Sequence, residues 1–241
     1  YPAQQSKNRG RRQMSFLDNQ HPALLNAVRL GIFAIIAAFI LGATYSSTAE
    51  RIAASQLAVE QRALLEVVAT LDDKTVDLTD RLVIPAEAIE SLNLDEGQSI
   101  QVVRNSRGEA TAFIVPATAP DGYSGAIRLL VGIDQGSNIT GVRAIEHAET
   151  PGLGDKVDIK KSDWINGFIG KSLSNPTNGW AVKKDGGSFD AFTGATITPR
   201  AVVSQVEAAL KFYAQYQTVL VEQSAQINLA PDIEQSEQSD E

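Results

Sequence analysis

A short run of threonine and glycine, Thr193-Gly194-Ala195-Thr196-Ile197-Thr198-Pro199, precedes the last apolar-periodic segment of the chain. Proline suits a first helical position because it lacks an N–H that would be unpaired there, so the run predicts a helix starting at Pro199 with Thr198 as N-cap. The free backbone amides and the helix dipole at the start of a helix favour the binding of a phosphate. Gly194 has no side chain and would let a ligand approach the backbone. A capped helix start without a ligand is the alternative, which the residues alone favour because short Gly/Thr motifs often match by chance.

A second candidate loop is formed by residues 146–155, Glu-His-Ala-Glu-Thr-Pro-Gly-Leu-Gly-Asp, which follow a predicted strand. The Pro-Gly pair and the next glycine predict a tight turn whose amides could lie along a flat polar ligand. A rigid turn between two elements fits the same residues equally well. Two weaker signals remain. Tyr123 fits a packing aromatic as well as a ligand contact. Lys183 and Lys184 belong to a turn that is usually only solvated, although either lysine could face a phosphate.

The composition restricts the possible chemistry. The chain has no cysteine, which excludes iron–sulfur clusters, thiolate zinc sites, thioether-linked haem, disulfides and a cysteine nucleophile. It has only two histidines and one methionine, which argues against imidazole or thioether metal centres. A metal site is therefore not expected, and no Ser-His-Asp or paired-carboxylate arrangement can be argued. If the protein carries out redox chemistry, its cofactor must be organic.

Charge and hydropathy predict a membrane anchor. Residues 1–29 carry five Lys and Arg and one Asp, a net charge of +4. Since the whole chain has a net charge of −8, the other residues sum to −12. This negative charge argues against a nucleic-acid-binding surface. Leu30–Ala49 is uncharged, and its 20 residues would span ~30 Å as a helix. The segment is longer than the apolar core of a signal peptide, and it is apolar all round. Because Lys and Arg concentrate before it, we expect a cytoplasmic N-terminus and a periplasmic C-terminal part.

The remaining segments predict an α+β fold, a single N-terminal transmembrane helix with a helical stalk followed by β-hairpins and helices. The expected elements are hairpin strands at Ser99–Asn105 and Glu109–Val115 and at Ala126–Ile133 and Ile139–Ile145, a short helix at Asp163–Lys171, a strand at Trp180–Lys183 and a helix at Pro199–Gln217. The expected parts of the chain are a basic N-terminus (1–29), the membrane helix (30–49), the stalk (50–71), a periplasmic domain (72–217) and an acidic disordered tail (218–241).

Taken together, the anchor and four segments in order closely resemble the G subunit of the Rnf electron-transport complex over about residues 30–213. The segments are GYSGAIRLLVG, EHAETPGLGDKV, WAVKKDGG and FTGATITPRAVV. The C subunit of the sodium-pumping NADH:quinone oxidoreductase shares the ETPGLG and S/T-G-A-T elements, and it is the nearest alternative among enzymes. A cofactor-free, membrane-anchored assembly or sensing module is the alternative from another class.

The resemblance implies an FMN-binding domain that carries FMN through a phosphoester bond to the last threonine of the motif, here Thr196, installed by a flavin transferase. It implies an electron relay in a bacterial inner-membrane complex that moves electrons between ferredoxin and NAD, coupled to sodium or proton movement, with both substrates bound by other subunits. It implies no catalytic residue in this chain. The cofactor-binding residues that it implies are Thr196, Thr193, Gly194, Ala195, Thr198, Glu149, Thr150, Gly152, Leu153 and Lys184.

Overall fold

The computed structural model describes residues 21–71, 77–95 and 97–229, and the chain divides into two units, Tyr1–Leu57 and Ala58–Glu241. The first helix, α1, spans His21–Val67. It contains one stretch that is long and apolar enough to cross a membrane, with a mean hydropathy of 2.3. The predicted anchor falls within α1, whereas the helix ends at Val67 rather than at Leu71. The basic residues 1–20 lie outside the described part of the chain.

In the described part of the chain, five antiparallel strands form one sheet in the order β1 to β5. The strands are β1 (Arg81–Val83), β2 (Ser99–Arg104), β3 (Ala110–Ala119), β4 (Ile127–Asp134) and β5 (Ile139–Glu146), with a short helix α2 (Ala86–Leu92) between β1 and β2. Both predicted hairpins are confirmed, β2 with β3 and β4 with β5. Neither β1 nor α2 was predicted, because each is too short to show a hydrophobic period.

The two faces of the sheet are covered by different helices. Alternate residues of β3 point to opposite faces, as expected for a strand. Phe113 and Val115 join the larger core on the side of the last helix, α3 (Ile197–Leu229), where the Phe113 and Tyr213 rings are 5.8 Å apart. Ala112 and Ile114 join a smaller cluster with the C-terminal end of α1. The alternation therefore gives the sheet two buried faces.

A pair of glycines lets the end of α1 approach the sheet. Gly132 on β4 and Gly141 on β5 are paired directly across the two strands. A Cβ at Gly132 would overlap the Val67 side chain, and one at Gly141 would lie 2.6 Å from the Val67 carbonyl oxygen. The Thr70 hydroxyl then donates to the Thr140 carbonyl oxygen at 2.7 Å. These contacts fix where α1 ends on β4 and β5.

Helix α3 differs from the prediction at both ends. It begins at Ile197, so Thr198 lies inside the helix and the prediction of Thr198 as N-cap is wrong. It also continues past Gln217 to Leu229, because Leu220 and Ser224 are buried and Arg104 donates to the Ser224 carbonyl oxygen. The prediction of a disordered tail is therefore wrong for residues 218–229, and residues 230–241 lie outside the described part.

The segment between β5 and α3 consists mainly of turns and short 3-10 helices at Gly154–Val157, Asp163–Phe168 and Lys183–Asp185. The predicted helix at Asp163–Lys171 is the second of these. The predicted strand at Trp180–Lys183 is wrong, since among the residues that the structure describes this segment forms a single bridge, from Val182 to Phe189. The chain reverses direction at Gly186, whose φ is +86°, only three residues after the predicted strand, so the segment is too short to form a strand.

Candidate functional site

The Thr193–Thr196 motif forms a tight turn that leads directly into α3. The Ala195 amide donates to the Phe192 carbonyl oxygen at 3.2 Å, which closes the turn. Gly194 has a φ of +83°, a conformation that residues with a side chain rarely adopt. Thr196 is the last residue before the helix, so it stands beside the unpaired amides of the first turn. The position suits an anionic group next to the Thr196 side chain.

The loop after β5 is held closed by its own backbone. The Thr150 carbonyl oxygen accepts from the amides of Leu153 and Gly154 at 3.1 and 3.2 Å, and the Asp155 carboxylate accepts from the Gly152 amide at 2.8 Å. These three amides are therefore engaged within the loop and do not lie free along a ligand, as the sequence had suggested. What the loop presents instead is the side chain of Leu153.

The two motifs meet in a pocket of about 320 Å³ in the second unit. Six of the residues implied by the resemblance line it together with three others; the nine are Tyr123, Glu149, Thr150, Leu153, Gly154, Gly194, Ala195, Thr196 and Ile197. Large apolar side chains line the pocket but are still partly exposed: Tyr123 is 68% exposed, Leu153 42% and Ile197 46%. Among the described residues, none is hydrogen-bonded to the Thr196 hydroxyl. The pocket thus combines apolar walls with a hydroxyl at a helix start.

The other four residues implied by the resemblance are placed elsewhere. Thr193 is exposed in the turn, and Gly152 is exposed in its loop with a φ of +78°. Lys184 is exposed in the turn at Lys183–Asp185, next to Asp185. Thr198 is fully buried, and its hydroxyl donates to Glu149, which lines the pocket. None of the four is among the residues that line the pocket.

Glu149 is the most heavily constrained side chain at the site. It is 5% exposed, and its Oε1 accepts from the Ser124 amide at 3.0 Å. Its Oε2 accepts from the Thr198 hydroxyl at 2.6 Å. The backbone amide of Glu149 donates to His147 Nδ1 at 3.3 Å, so His147 acts as a hydrogen-bond acceptor for the loop.

A group of aromatic rings holds the residue before the threonine motif against the core. Phe192, next to Thr193, packs edge-on against Trp164 with the ring centroids 4.9 Å apart. Trp164 packs in turn on Phe168 at 5.3 Å, and its indole N–H donates to the Asp190 carbonyl oxygen at 2.8 Å. The Thr193–Thr196 turn is therefore attached to the core immediately before the motif begins.

An ion pair fixes the neighbouring turn to the first turn of α3. Arg200 donates from two nitrogens to the two oxygens of Asp185, at 2.5 and 2.8 Å. The hydrogen bond from Arg200 holds the pKa of Asp185 below its usual value, with the charges of Arg200 and Lys184 acting in the same direction. Lys183 is similarly paired with Asp190 at 2.7 Å. These two cations next to the site are thus engaged with carboxylates.

Comparisons with known proteins agree with this geometry. The family described as FMN-binding domain matches residues 122–211, which include all nine residues of the pocket, and the family described as RnfG N-terminal region matches residues 14–67. The fold and the pocket therefore define an FMN-binding domain that follows an apolar helix.

The relatives are more specific. The G subunit of an ion-translocating oxidoreductase complex from Pseudomonas aeruginosa is 46% identical over 193 residues, 79% of this chain and 88% of that protein. Proteins of the same name from Haemophilus influenzae and Yersinia pestis are 42% identical over 201 residues (83% and 94% of the two chains) and 45% identical over 185 residues (76% and 87%). The chain belongs to the family of G subunits of ion-translocating oxidoreductase complexes.

A crystal structure of Shewanella oneidensis NqrC has 23% sequence identity to this chain and a TM-score of 0.43, and covers 62% of this chain and 72% of that one.

Proposed function

We propose that this chain is the membrane-anchored flavoprotein subunit that relays electrons within an ion-translocating oxidoreductase complex, through an FMN joined covalently to Thr196. Membership of the G-subunit family supports the membrane complex and the flavoprotein class. The observation that carries the assignment of Thr196 is its position: it lines the pocket, directly precedes α3, and its hydroxyl has no hydrogen-bond partner among the described residues.

The residues of the pocket suit the two parts of FMN. Apolar side chains with large exposed areas, Tyr123, Leu153 and Ile197, offer a surface for a flat aromatic ring. The start of α3 offers amides and the positive end of a helix dipole for a phosphate. A pocket of about 320 Å³ is at the lower end of the ~300–1,000 Å³ typical of ligand sites, so the bound group would remain partly open to solvent.

Attachment requires an activated FMN whose phosphate carries a leaving group. The Thr196 hydroxyl would supply the oxygen of the new bond to phosphorus and release its proton, and the leaving group would depart with the electron pair of the bond that breaks. A flavin transferase would catalyse this reaction once, during maturation, so Thr196 is an attachment point and takes no part in turnover. When bound, FMN supplies one- and two-electron transfer, which needs no metal ligand from this protein.

The proposal extends to the partners and the orientation. The electron donor and acceptor are other subunits of the complex, and ferredoxin and NAD bind to those subunits. The N-terminus is cytoplasmic and the FMN-binding domain is periplasmic, at the bacterial inner membrane, because basic residues concentrate before α1. A covalent bond would keep FMN on the protein in a compartment where a dissociated cofactor is lost by dilution.

The test is a pair of substitutions in the same turn, Thr196→Ala and Thr193→Ala, in the full chain produced together with its flavin transferase. Intact mass and in-gel flavin fluorescence after denaturation report covalent FMN. We expect wild type and Thr193→Ala to carry one FMN and Thr196→Ala to carry none, because Thr193 lies outside the pocket. Covalent flavin on Thr196→Ala would overturn the assignment of the residue. A wild-type chain with no added mass would overturn the covalent proposal and favour a cofactor-free module.

A further inference from the structure

Glu149 connects three separate parts of the chain. Its two carboxylate oxygens accept from the Ser124 amide, in the loop before β4, and from the Thr198 hydroxyl, in the first turn of α3. The residue itself stands at the start of the loop after β5. Because each oxygen is engaged by a different segment, a change in the position of one segment is transmitted to the other through a single side chain.

Two glycines leave room for this carboxylate. A Cβ at Gly122 would overlap the Gly125 carbonyl oxygen and lie 2.9 Å from Glu149 Oε1, and a Cβ at Gly154 would overlap Oε2. Gly122 belongs to the first of the three segments and Gly154 to the loop after β5. The carboxylate therefore occupies a slot that side chains on either wall would close.

The residues that Glu149 holds are neighbours of the residues that line the pocket. Tyr123 lies between Gly122 and Ser124, and Thr196 and Ile197 immediately precede Thr198. The two hydrogen bonds of Glu149 thus join the residue after Tyr123 to the second residue after Thr196. Glu149 also lines the pocket itself, although 95% of its surface is covered.

We infer that Glu149 is a positioning residue for the cofactor: it fixes the Tyr123 loop relative to the first turn of α3, and its charge lies at the wall of the pocket in which the flavin would bind. This inference rests on the proposed function for the identity of the ligand. It makes two separate predictions, one on the protein without flavin and one on the potential of the attached flavin.

The first experiment uses Thr198 to perturb Glu149 indirectly, in the full flavin-free Thr196→Ala chain. Thr198→Val keeps the size of the side chain but removes the hydroxyl, and Thr198→Ser keeps the hydroxyl. Without its bond to Thr198, Glu149 is held at one end only, so we expect hydrogen exchange of the Ser124 amide to accelerate at least tenfold in Thr198→Val. Thr198→Ser should restore slow exchange. Equal exchange in both variants would overturn the inference, whatever the result for FMN.

The second experiment measures the midpoint potential of the attached flavin in the full chain. Glu149→Gln removes the negative charge at nearly constant size, which favours the electron-rich reduced flavin. We expect the potential to rise by at least the equivalent of a tenfold change in the ratio of oxidised to reduced flavin, 59 mV for one electron.

Glu146→Gln is the matched control, because Glu146 is exposed on β5 and pairs with Arg128 outside the pocket. Equal potentials in Glu149→Gln and Glu146→Gln, with both chains folded and flavinylated, would overturn the inference. Absence of covalent FMN from wild type would instead refute the attachment proposal, and the exchange experiment would then decide the role of Glu149 alone.

Discussion

Gly154→Ala tests whether the contact between Glu149 and Thr198 stabilises the domain as the structure indicates. The new Cβ would overlap Glu149 Oε2 and lie 2.9 Å from Thr198 Oγ1, so the carboxylate has to move, and we expect its bond to the Thr198 hydroxyl to break. Loss of a hydrogen bond to a charged group costs about 1.5–3 kcal/mol, and Thr198 is fully buried, where no water replaces the partner.

Part of that loss is offset, because replacing glycine by alanine restricts the unfolded chain and stabilises by about 0.4–1 kcal/mol. The net loss in the free energy of unfolding is therefore about 0.5–2.6 kcal/mol. At about 2–4 °C per kcal/mol for a domain of this size, the melting temperature should fall by about 1–10 °C. Thermal unfolding of the full chain in detergent, followed by circular dichroism, measures this fall, and urea titration gives the free energy.

Gly167→Ala is the control for the general effect of removing a glycine. Gly167 lies in the 3-10 helix Asp163–Phe168, and a Cβ there would meet no atom within 4 Å. The control should match wild type or be slightly more stable. If Gly154→Ala has the same melting temperature as Gly167→Ala, the Glu149 carboxylate can move aside without a loss of stability. That result would refute a stabilising role for its contact with Thr198.

The remaining predictions concern Tyr213 and the orientation in the membrane. Burial, with a contribution from the charge of Asp134, raises the pKa of Tyr213 to about 12. Between pH 10 and 12 the folded state therefore keeps a proton that the unfolded state has lost, so the free energy of unfolding should fall as the pH rises over this range. The fall should be smaller in Tyr213→Phe, which has no phenol to titrate. Equal losses in the two chains over that range would contradict the burial argument. A protease added outside spheroplasts should digest residues 50–241 and spare the basic N-terminus, and protection of the C-terminal domain would refute the proposed orientation.

Periodic patterns predicted the elements with long, regular cores. The β2–β3 and β4–β5 hairpins follow from alternating side chains bounded by turn residues, and the apolar stripe of α3 from Val202 to Tyr213 is buried as expected. The end of α3 was missed for a tertiary reason: the acidic composition after Gln217 suggested a solvated tail, but contacts of Leu220 and Ser224 with the body of the domain extend the helix.

The sequence predicted the two motifs that meet at the candidate site. It did not predict the contacts between residues far apart in the chain that place Tyr123 and Thr198 there. Tyr123 is exposed on the wall of the pocket because the Ser124 amide is bonded to Glu149, 25 residues further along the chain. The only local signal was its position between small residues in Gly-Tyr-Ser-Gly, which also fits a packing aromatic. Thr198 was expected to cap the helix, but its hydroxyl bonds Glu149, 49 residues away, which no local rule reveals.

The openness of the pocket connects the proposed covalent bond with the proposed relay. The three large apolar residues of the pocket wall are each 42–68% exposed. They would therefore bury little of a bound ring and contribute only modestly to its affinity. A group held only by such walls would exchange with solvent, whereas a bond to Thr196 keeps it in place without deeper burial. The same openness would leave part of a bound flavin accessible to a partner subunit, as the proposed electron relay requires. In this proposal the covalent bond thus provides the retention that burial would otherwise have to supply, and the exposed part remains available for electron transfer.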